Sequence, residues 1–206
     1  MSRFTFAIFD MDQVLYEYEH SVRLELLEKL TGRAQADIDA SVWGGPHENL
    51  AEAGSPDTAE GYLAQFANLL GYPIDFDTWA DIRRQMMRPR EDVLEIVRDL
   101  RDQAELALLT NNGLLLKQAL PVCAPEAVEI FGERAHVSAD FQARKPDSAV
   151  FLRMCERYGH APQTTLFVDD REDNVEGAQN AGLTAHLYER PSGLLRFLKD
   201  AGFRFP

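Results

Sequence analysis

The amino-acid sequence predicts an α/β fold: a parallel sheet flanked by helices, with an α-helical segment inserted after the first strand. Three observations carry this expectation. Short, nearly continuous apolar runs recur along the chain, as strands covered on both faces require. Patterns with a spacing near 3.6 lie between these runs from about residue 90 onward. The stretch 16–87, by contrast, holds several helical patterns and no convincing strand run.

The first apolar run is Phe4-Thr5-Phe6-Ala7-Ile8-Phe9. Helices are expected next at 22–30, 35–42, 58–70 and 77–87, separated by Gly44-Gly45-Pro46, Gly54-Ser55-Pro56 and Gly71-Tyr72-Pro73. Residues 90–101 place Val93, Leu94, Val97 and Leu100 on one helical face. Leu106-Ala107-Leu108-Leu109 reads as the second buried strand, and His136-Val137-Ser138 as a short third one. Pro146 fits the first turn of a helix that carries Val150, Phe151 and Met154 on one side. Thr165-Leu166-Phe167-Val168 is another strand, and a helix over 173–181 ends before Gly182. The mixed run Thr184-Ala185-His186-Leu187-Tyr188 suits a strand nearer the sheet edge.

Composition narrows the function. With 34 acidic against 21 basic residues, a formal charge of −13 and no basic stripe, a nucleic-acid groove is not expected, nor is attraction to an anionic membrane. No run approaches the roughly 18 apolar residues of a membrane span. The N-terminal Met1-Ser2-Arg3-Phe4 lacks the pattern of a signal peptide, so a cytoplasmic location is the expectation. Cys123 and Cys155 lack metal or disulfide spacing and read as core thiols. The five histidines show no H-x-x-x-H spacing, and neither a G-x-S-x-G elbow nor a G-x-x-x-x-G-K-[ST] loop is present.

In an open α/β sheet, ligands bind outside the carboxyl ends of the strands. The first run is followed there by Asp10-Met11-Asp12, the second by Thr110-Asn111-Asn112, and the fourth by Asp169-Asp170. The short third run is followed by Arg144-Lys145-Pro146. Alone, each group is as compatible with a turn or a helix cap. Gathered at one edge, the carboxylates repel one another unless a cation sits among them, and magnesium suits an all-oxygen set that shares a phosphate. Lys145 is one of only four lysines among the 21 basic residues, which favours a need for a compact ammonium there.

These segments resemble the four ordered motifs of the haloacid dehalogenase superfamily: Phe6-Ala7-Ile8-Phe9-Asp10-Met11-Asp12, Leu108-Leu109-Thr110-Asn111-Asn112, Arg144-Lys145-Pro146-Asp147 and Phe167-Val168-Asp169-Asp170-Arg171-Glu172-Asp173-Asn174. The helical insertion is similar to the C1 cap of subfamily I. The resemblance covers the whole chain and implies a Rossmann-like catalytic core over 1–15 and 88–206 with a cap domain over 16–87. It implies a Mg²⁺-dependent phosphatase acting on a small phosphorylated metabolite, plausibly a sugar phosphate, through an aspartyl-phosphate. Asp10 would be the nucleophile and a metal ligand. Asp12 would be the general acid and base, with its carbonyl on the metal. Thr110 and the Asn111 N–H would bind phosphate, Lys145 would neutralise charge, and Asp170, with Asp169 directly or through water, would complete the metal site. Asp173 and Asn174 would orient that loop.

Gln13 departs from the glycine that many members carry after the second aspartate, so altered loop geometry or specificity is expected there. A phosphomutase would use the same groups. A dehalogenase needs neither the metal nor Asp12, and a non-catalytic binding protein would be expected to have lost an acid. In the cap stretch Trp43-Gly44-Gly45-Pro46-His47-Glu48, His47 and Glu48 are candidates for hydrogen bonds to sugar hydroxyls, with an ordinary interhelical loop holding a buried Trp43 about as well supported. Arg83, Arg84 and Arg88 are expected to line a solvated helix and hinge more than to engage an anionic substrate tail.

Overall fold

The computed structural model describes residues 3–205. From the N-terminus, β1 (Phe6–Phe9) and β2 (Tyr16–Tyr18) precede helices α1 (His20–Thr31), α2 (Gln35–Val42), α3 (His47–Glu52), α4 (Ala59–Leu70) and α5 (Phe76–Gln85). The chain then runs through β3 (Met87–Pro89), α6 (Glu91–Arg98), β4 (Glu105–Thr110), α7 (Leu114–Cys123), α8 (Pro125–Phe131) and β5 (Ala135–Val137). It closes with α9 (Ser148–Tyr158), β6 (Thr165–Asp169), α10 (Glu172–Asn180), β7 (Thr184–Leu187) and α11 (Pro191–Asp200).

Five strands form one parallel sheet in the order β5-β4-β1-β6-β7, so the β7 run does lie at an edge. Ile8 pairs with Ala107 on one side and Phe167 on the other, which puts β1 at the centre. Because strand side chains alternate, Phe6, Ile8, Ala107, Leu109 and Phe167 pack with Val150, Phe151 and Met154 of α9. Ala7, Phe9, Leu108, Leu166 and Val168 join a larger cluster with Val93, Leu94 and Val97 of α6. Each large apolar side chain buried this way contributes about 1.5–3 kcal/mol, which is why these runs hold the centre of the molecule. Cys123 and Cys155 are free and buried, as expected of core thiols.

The inserted helices start and stop where their sequence signals stand. Thr58 and Asp75 cap α4 and α5 by accepting from the N–H groups of Gly61 and Thr78 at 3.0 and 2.8 Å. Helices α4 and α5 pack against α7, next to the strand ends. Among the described residues no helix is long and apolar enough to cross a membrane.

Three expectations are corrected. The stretch from Tyr16 to Met87 is not strand-free at its ends: Tyr16–Tyr18 and Met87–Pro89 pair as an antiparallel ribbon. Three-residue strands leave no alternation to read, and their partners lie some seventy positions apart. His47 and Glu48 belong to the short helix α3, not to a loop. Pro146 sits before helix α9, across a cis Lys145–Pro146 peptide, and Asp147 is the cap, accepting from the Ala149 N–H at 2.9 Å.

Candidate active site

The carboxyl ends of β1, β4 and β6 lie side by side, so Asp10, Thr110 and Asp169 meet at one edge of the sheet. A cavity of about 410 Å³ opens there, lined by Asp10, Asp12, Thr110, Asn111, Lys145 and Asp170, with residues of the inserted helices opposite. All the sequence-predicted acids and Lys145 are therefore brought together, Asp169 lying just behind the surface.

Lys145 is 1% exposed and tied on every side. Its Nζ donates to Asp169 Oδ2 at 2.6 Å and lies 2.8 Å from Asp10 Oδ1. Its backbone is held by the Asn111 side chain, which donates from Nδ2 to the Lys145 carbonyl and accepts the Lys145 N–H at Oδ1, both at 2.9 Å. Asn111 thus positions the lysine, a use of its side chain that the motif does not announce. Asp169 is saturated as well: it accepts from the Arg171 N–H at 2.9 Å and from Asn174 Nδ2 at 3.0 and 3.1 Å. Asn174 does orient this loop, whereas Asp173 faces solvent and pairs with Arg171 at 2.8 Å. Thr110 accepts from Asn112 Nδ2 at 2.9 Å, which leaves its own O–H to donate elsewhere.

One ammonium stands against three carboxylates. Burial drives the Asp10 carboxyl well above the usual carboxylate range; Lys145 opposes this, and Asp169 and Asp12 add to it. Asp170 is raised by burial and then by Asp169. Burial works against the Lys145 charge, but Asp10 and Asp169 outweigh it and hold the lysine protonated. One oxygen from each of Asp10, Asp169 and Asp170 lies within 4.8 Å of the others, and the single ammonium of Lys145, 2.8 Å from Asp10 Oδ1, leaves the cluster with surplus negative charge. An all-oxygen donor set with surplus negative charge fits a hard divalent cation.

A family model described as haloacid dehalogenase-like hydrolase matches residues 5–182. The chain belongs to this family. Among curated relatives of the hydrolase, phosphatase MT3486 of Mycobacterium tuberculosis is 27% identical over 213 residues, covering 95% of this chain and 94% of that one. N-acylneuraminate-9-phosphatase of Rattus norvegicus is 29% identical over 117 residues, which is 56% of this chain and 46% of the rat protein. The hydrolase thus spans less than half the length of the rat relative in that match. A family enzyme of Bacteroides thetaiotaomicron, in complex with magnesium and inorganic phosphate, superposes with a TM-score of 0.74 at 19% identity, covering 90% and 94% of the two chains.

The inserted helices depart most from expectation. Arg83 of α5 is not solvated: it is 2% exposed, and its Nη2 donates to both Asp12 oxygens at 2.9 and 2.7 Å. Its guanidinium also lies 4.6 Å from the Tyr18 ring centroid. Arg84 and Arg88 are exposed, as expected. Glu48 lines the cavity and accepts from Tyr62 at 2.6 Å, and Trp43 lines it too, whereas His47 meets Gln65 at 3.0 Å and is not among the lining residues. Glu52, unmarked in the sequence, forms an ion pair at 2.5 Å with Arg144 of the third motif, and both line the cavity. Arg83 had a readable signal: it stands four residues after Trp79, on the buried face of its helix. Gln13 takes φ +64°, the conformation glycine would supply, and its side chain donates to the Tyr18 carbonyl at 2.8 Å.

Proposed function

We propose that this hydrolase is a Mg²⁺-dependent phosphatase of small phosphomonoesters, a sugar phosphate among the candidates, in which residues 16–87 form a cap over a catalytic core of 1–15 and 88–206. The observation that carries the reading is the Asp10–Lys145–Asp169 chain beside Asp170, at the mouth of a cavity that Asp12 and Thr110 share. Two relatives named as phosphatases and a family structure holding magnesium and phosphate support it.

Asp10, Asp170 and the Asp12 carbonyl would hold Mg²⁺, with Asp169 behind them; the ion would supply a positive charge for the phosphoryl oxygens. An Asp10 oxygen attacks phosphorus and the ester P–O bond breaks, while Asp12 gives its proton to the leaving oxygen. Water then attacks the aspartyl-phosphate, Asp12 takes its proton back, and inorganic phosphate leaves. Lys145, Thr110 and the Asn111 N–H bind phosphoryl oxygens, so most of the protein's work is positioning and charge neutralisation. Both Asp12 oxygens accept from Arg83 Nη2, so the contact must loosen for Asp12 to hand a proton to the leaving oxygen.

Phosphate release from a panel of phosphorylated metabolites, with Mg²⁺ and with a chelator, tests this. The reading predicts release that the chelator abolishes and that Asp10→Asn reduces to background. Interconversion of phosphate esters without release would instead identify a phosphomutase, and halide release from an added 2-haloacid, insensitive to chelation, a dehalogenase.

A further inference from the structure

The cavity has a second cationic pole that the chemistry above does not use. Arg23 of α1 lines the cavity yet is only 5% exposed. Its guanidinium carbon lies 4.7, 5.3 and 5.4 Å from the ring centroids of Trp43, Phe66 and Trp79, so aromatic faces form its walls. Its Nε and Nη2 are buried and meet no acceptor.

Every other lining charge from the inserted helices has found a partner. Arg83 holds Asp12, Glu52 holds Arg144, and Glu48 accepts from Tyr62. The further orphans in this part of the molecule are Arg83 Nη1 and Trp79 Nε1, which are donors too. A buried guanidinium with open N–H groups costs folding energy, because neither water nor a carboxylate repays its lost hydration. Buried donors that all lack acceptors define the complement: a ligand that brings negative oxygens to the cap.

We propose that Arg23 is the receptor for a second anionic group, a carboxylate or a second phosphate, on the leaving portion of the substrate. The inference rests on the phosphatase reading and narrows its substrate class to phosphorylated acids and bisphosphates. The transferred phosphoryl group would lie against Lys145 and Thr110, and the second anion against Arg23, which lines the same cavity. Arg23 would then be a specificity-determining residue: it binds the part of the substrate that does not react.

Matched probes test this with the full chain and Mg²⁺: 3-phosphoglycerate against glycerol 3-phosphate for a carboxylate, and fructose 1,6-bisphosphate against fructose 6-phosphate for a second phosphate. In at least one pair the anionic member should have the higher kcat/KM, by on the order of 10- to 100-fold. Arg23→Gln should erase that preference, and Arg23→Lys should restore part of it. Melting temperature separates binding from scaffolding. The proposal predicts that Arg23→Gln melts no lower than wild type, since it removes an unpaired buried charge. Probes lacking the second anion turned over as well as their partners would overturn it, as would a variant that melts lower and keeps the preference. Release from none of the four probes, with release from esters lacking a second anion in the wider panel, would overturn it too; no release anywhere in that panel would remove the phosphatase reading instead.

Discussion

The sheet edge and the helices that face it handle buried charge in opposite ways. At the sheet edge nearly every polar atom is committed: Lys145 to Asp10 and Asp169, Asp169 also to Asn174 and the Arg171 N–H, and Asn111 to the Lys145 backbone. Across the cavity, Arg23 and Arg83 are as deeply buried, yet each leaves N–H groups without acceptors. A web with every bond made holds one geometry, which suits a reacting group that does not vary. Open donors suit the part of a ligand that must be recognised on arrival. The two regions meet at the Arg83–Asp12 pair.

That seam is where the largest effect is expected. Asp12→Asn should lower phosphate release from an alkyl phosphate by about 10²- to 10⁴-fold, the usual contribution of a proton-transfer group. In kcat/KM, which reports formation of the aspartyl-phosphate, the loss on p-nitrophenyl phosphate should be much smaller, because nitrophenolate leaves without a proton; hydrolysis of the common intermediate slows on both. Arg83→Gln should show the same leaving-group dependence in weaker form, because Arg83 touches Asp12 and not the reacting atoms. Equal losses in kcat/KM on both substrates would mean that Asp12 and Arg83 only shape the cavity.

A second test breaks the sheet side without altering a charge. Gly177 of α10 passes so close to the Lys145–Pro146 segment that an added Cβ would sit 2.1 Å from the Pro146 carbonyl oxygen. Gly177→Ala must therefore push that segment or the helix aside. It should cost about 1–3 kcal/mol in denaturant unfolding and reduce turnover by displacing Lys145. Unchanged turnover at lowered stability would show that the web tolerates slack.

The smallest effect sharpens the comparison with a titrating group outside the cavity lining. His136 bonds Asp140 through Nδ1 at 2.6 Å and Tyr158 through Nε2 at 2.5 Å. Burial holds its pKa below 6.5, with the Asp140 bond opposing and Lys117 adding to the shift. The unfolded chain takes up this proton at a higher pH than the folded one. The contribution is therefore whole above about pH 6.5 and is lost as pH falls through the folded pKa. Melting temperature should drop from about pH 6.5 downward, and His136→Gln should flatten that slope. An unchanged slope would place the proton uptake elsewhere, with His186, also lowered by burial, the next group to substitute.

How legible each part was follows from the range of the interactions involved. The strands β1, β4 and β6 could be read because burial on both faces leaves a nearly unbroken apolar run, and the short β5 and the mixed, partly buried edge strand β7 were visible more faintly. The acids could be placed because they follow closely on such runs, whereas Lys145 stands eight residues beyond β5 and could be placed only through its motif. The β2–β3 ribbon was hidden because three residues carry no period. Arg23 and Arg83 were overlooked for the opposite reason. Each stands where the helical spacing puts a core residue, Arg23 four before Leu27 and Arg83 four after Trp79, and an arginine there reads as solvated unless its position is weighed above its charge. The pairing of Asn111 with Lys145 spans 34 residues and depends on how two loops meet, which no local pattern encodes.

The central claim is that Asp10 carries the phosphoryl group. Acid quenching of Asp12→Asn during turnover, followed by peptide mass mapping, tests it most directly, because loss of the base should let the covalent species accumulate. A phosphoryl mass on the peptide spanning Asp10, absent from Asp10→Asn, is the predicted result. A phosphoryl group on any other side chain, or continued turnover with none trapped, would contradict it.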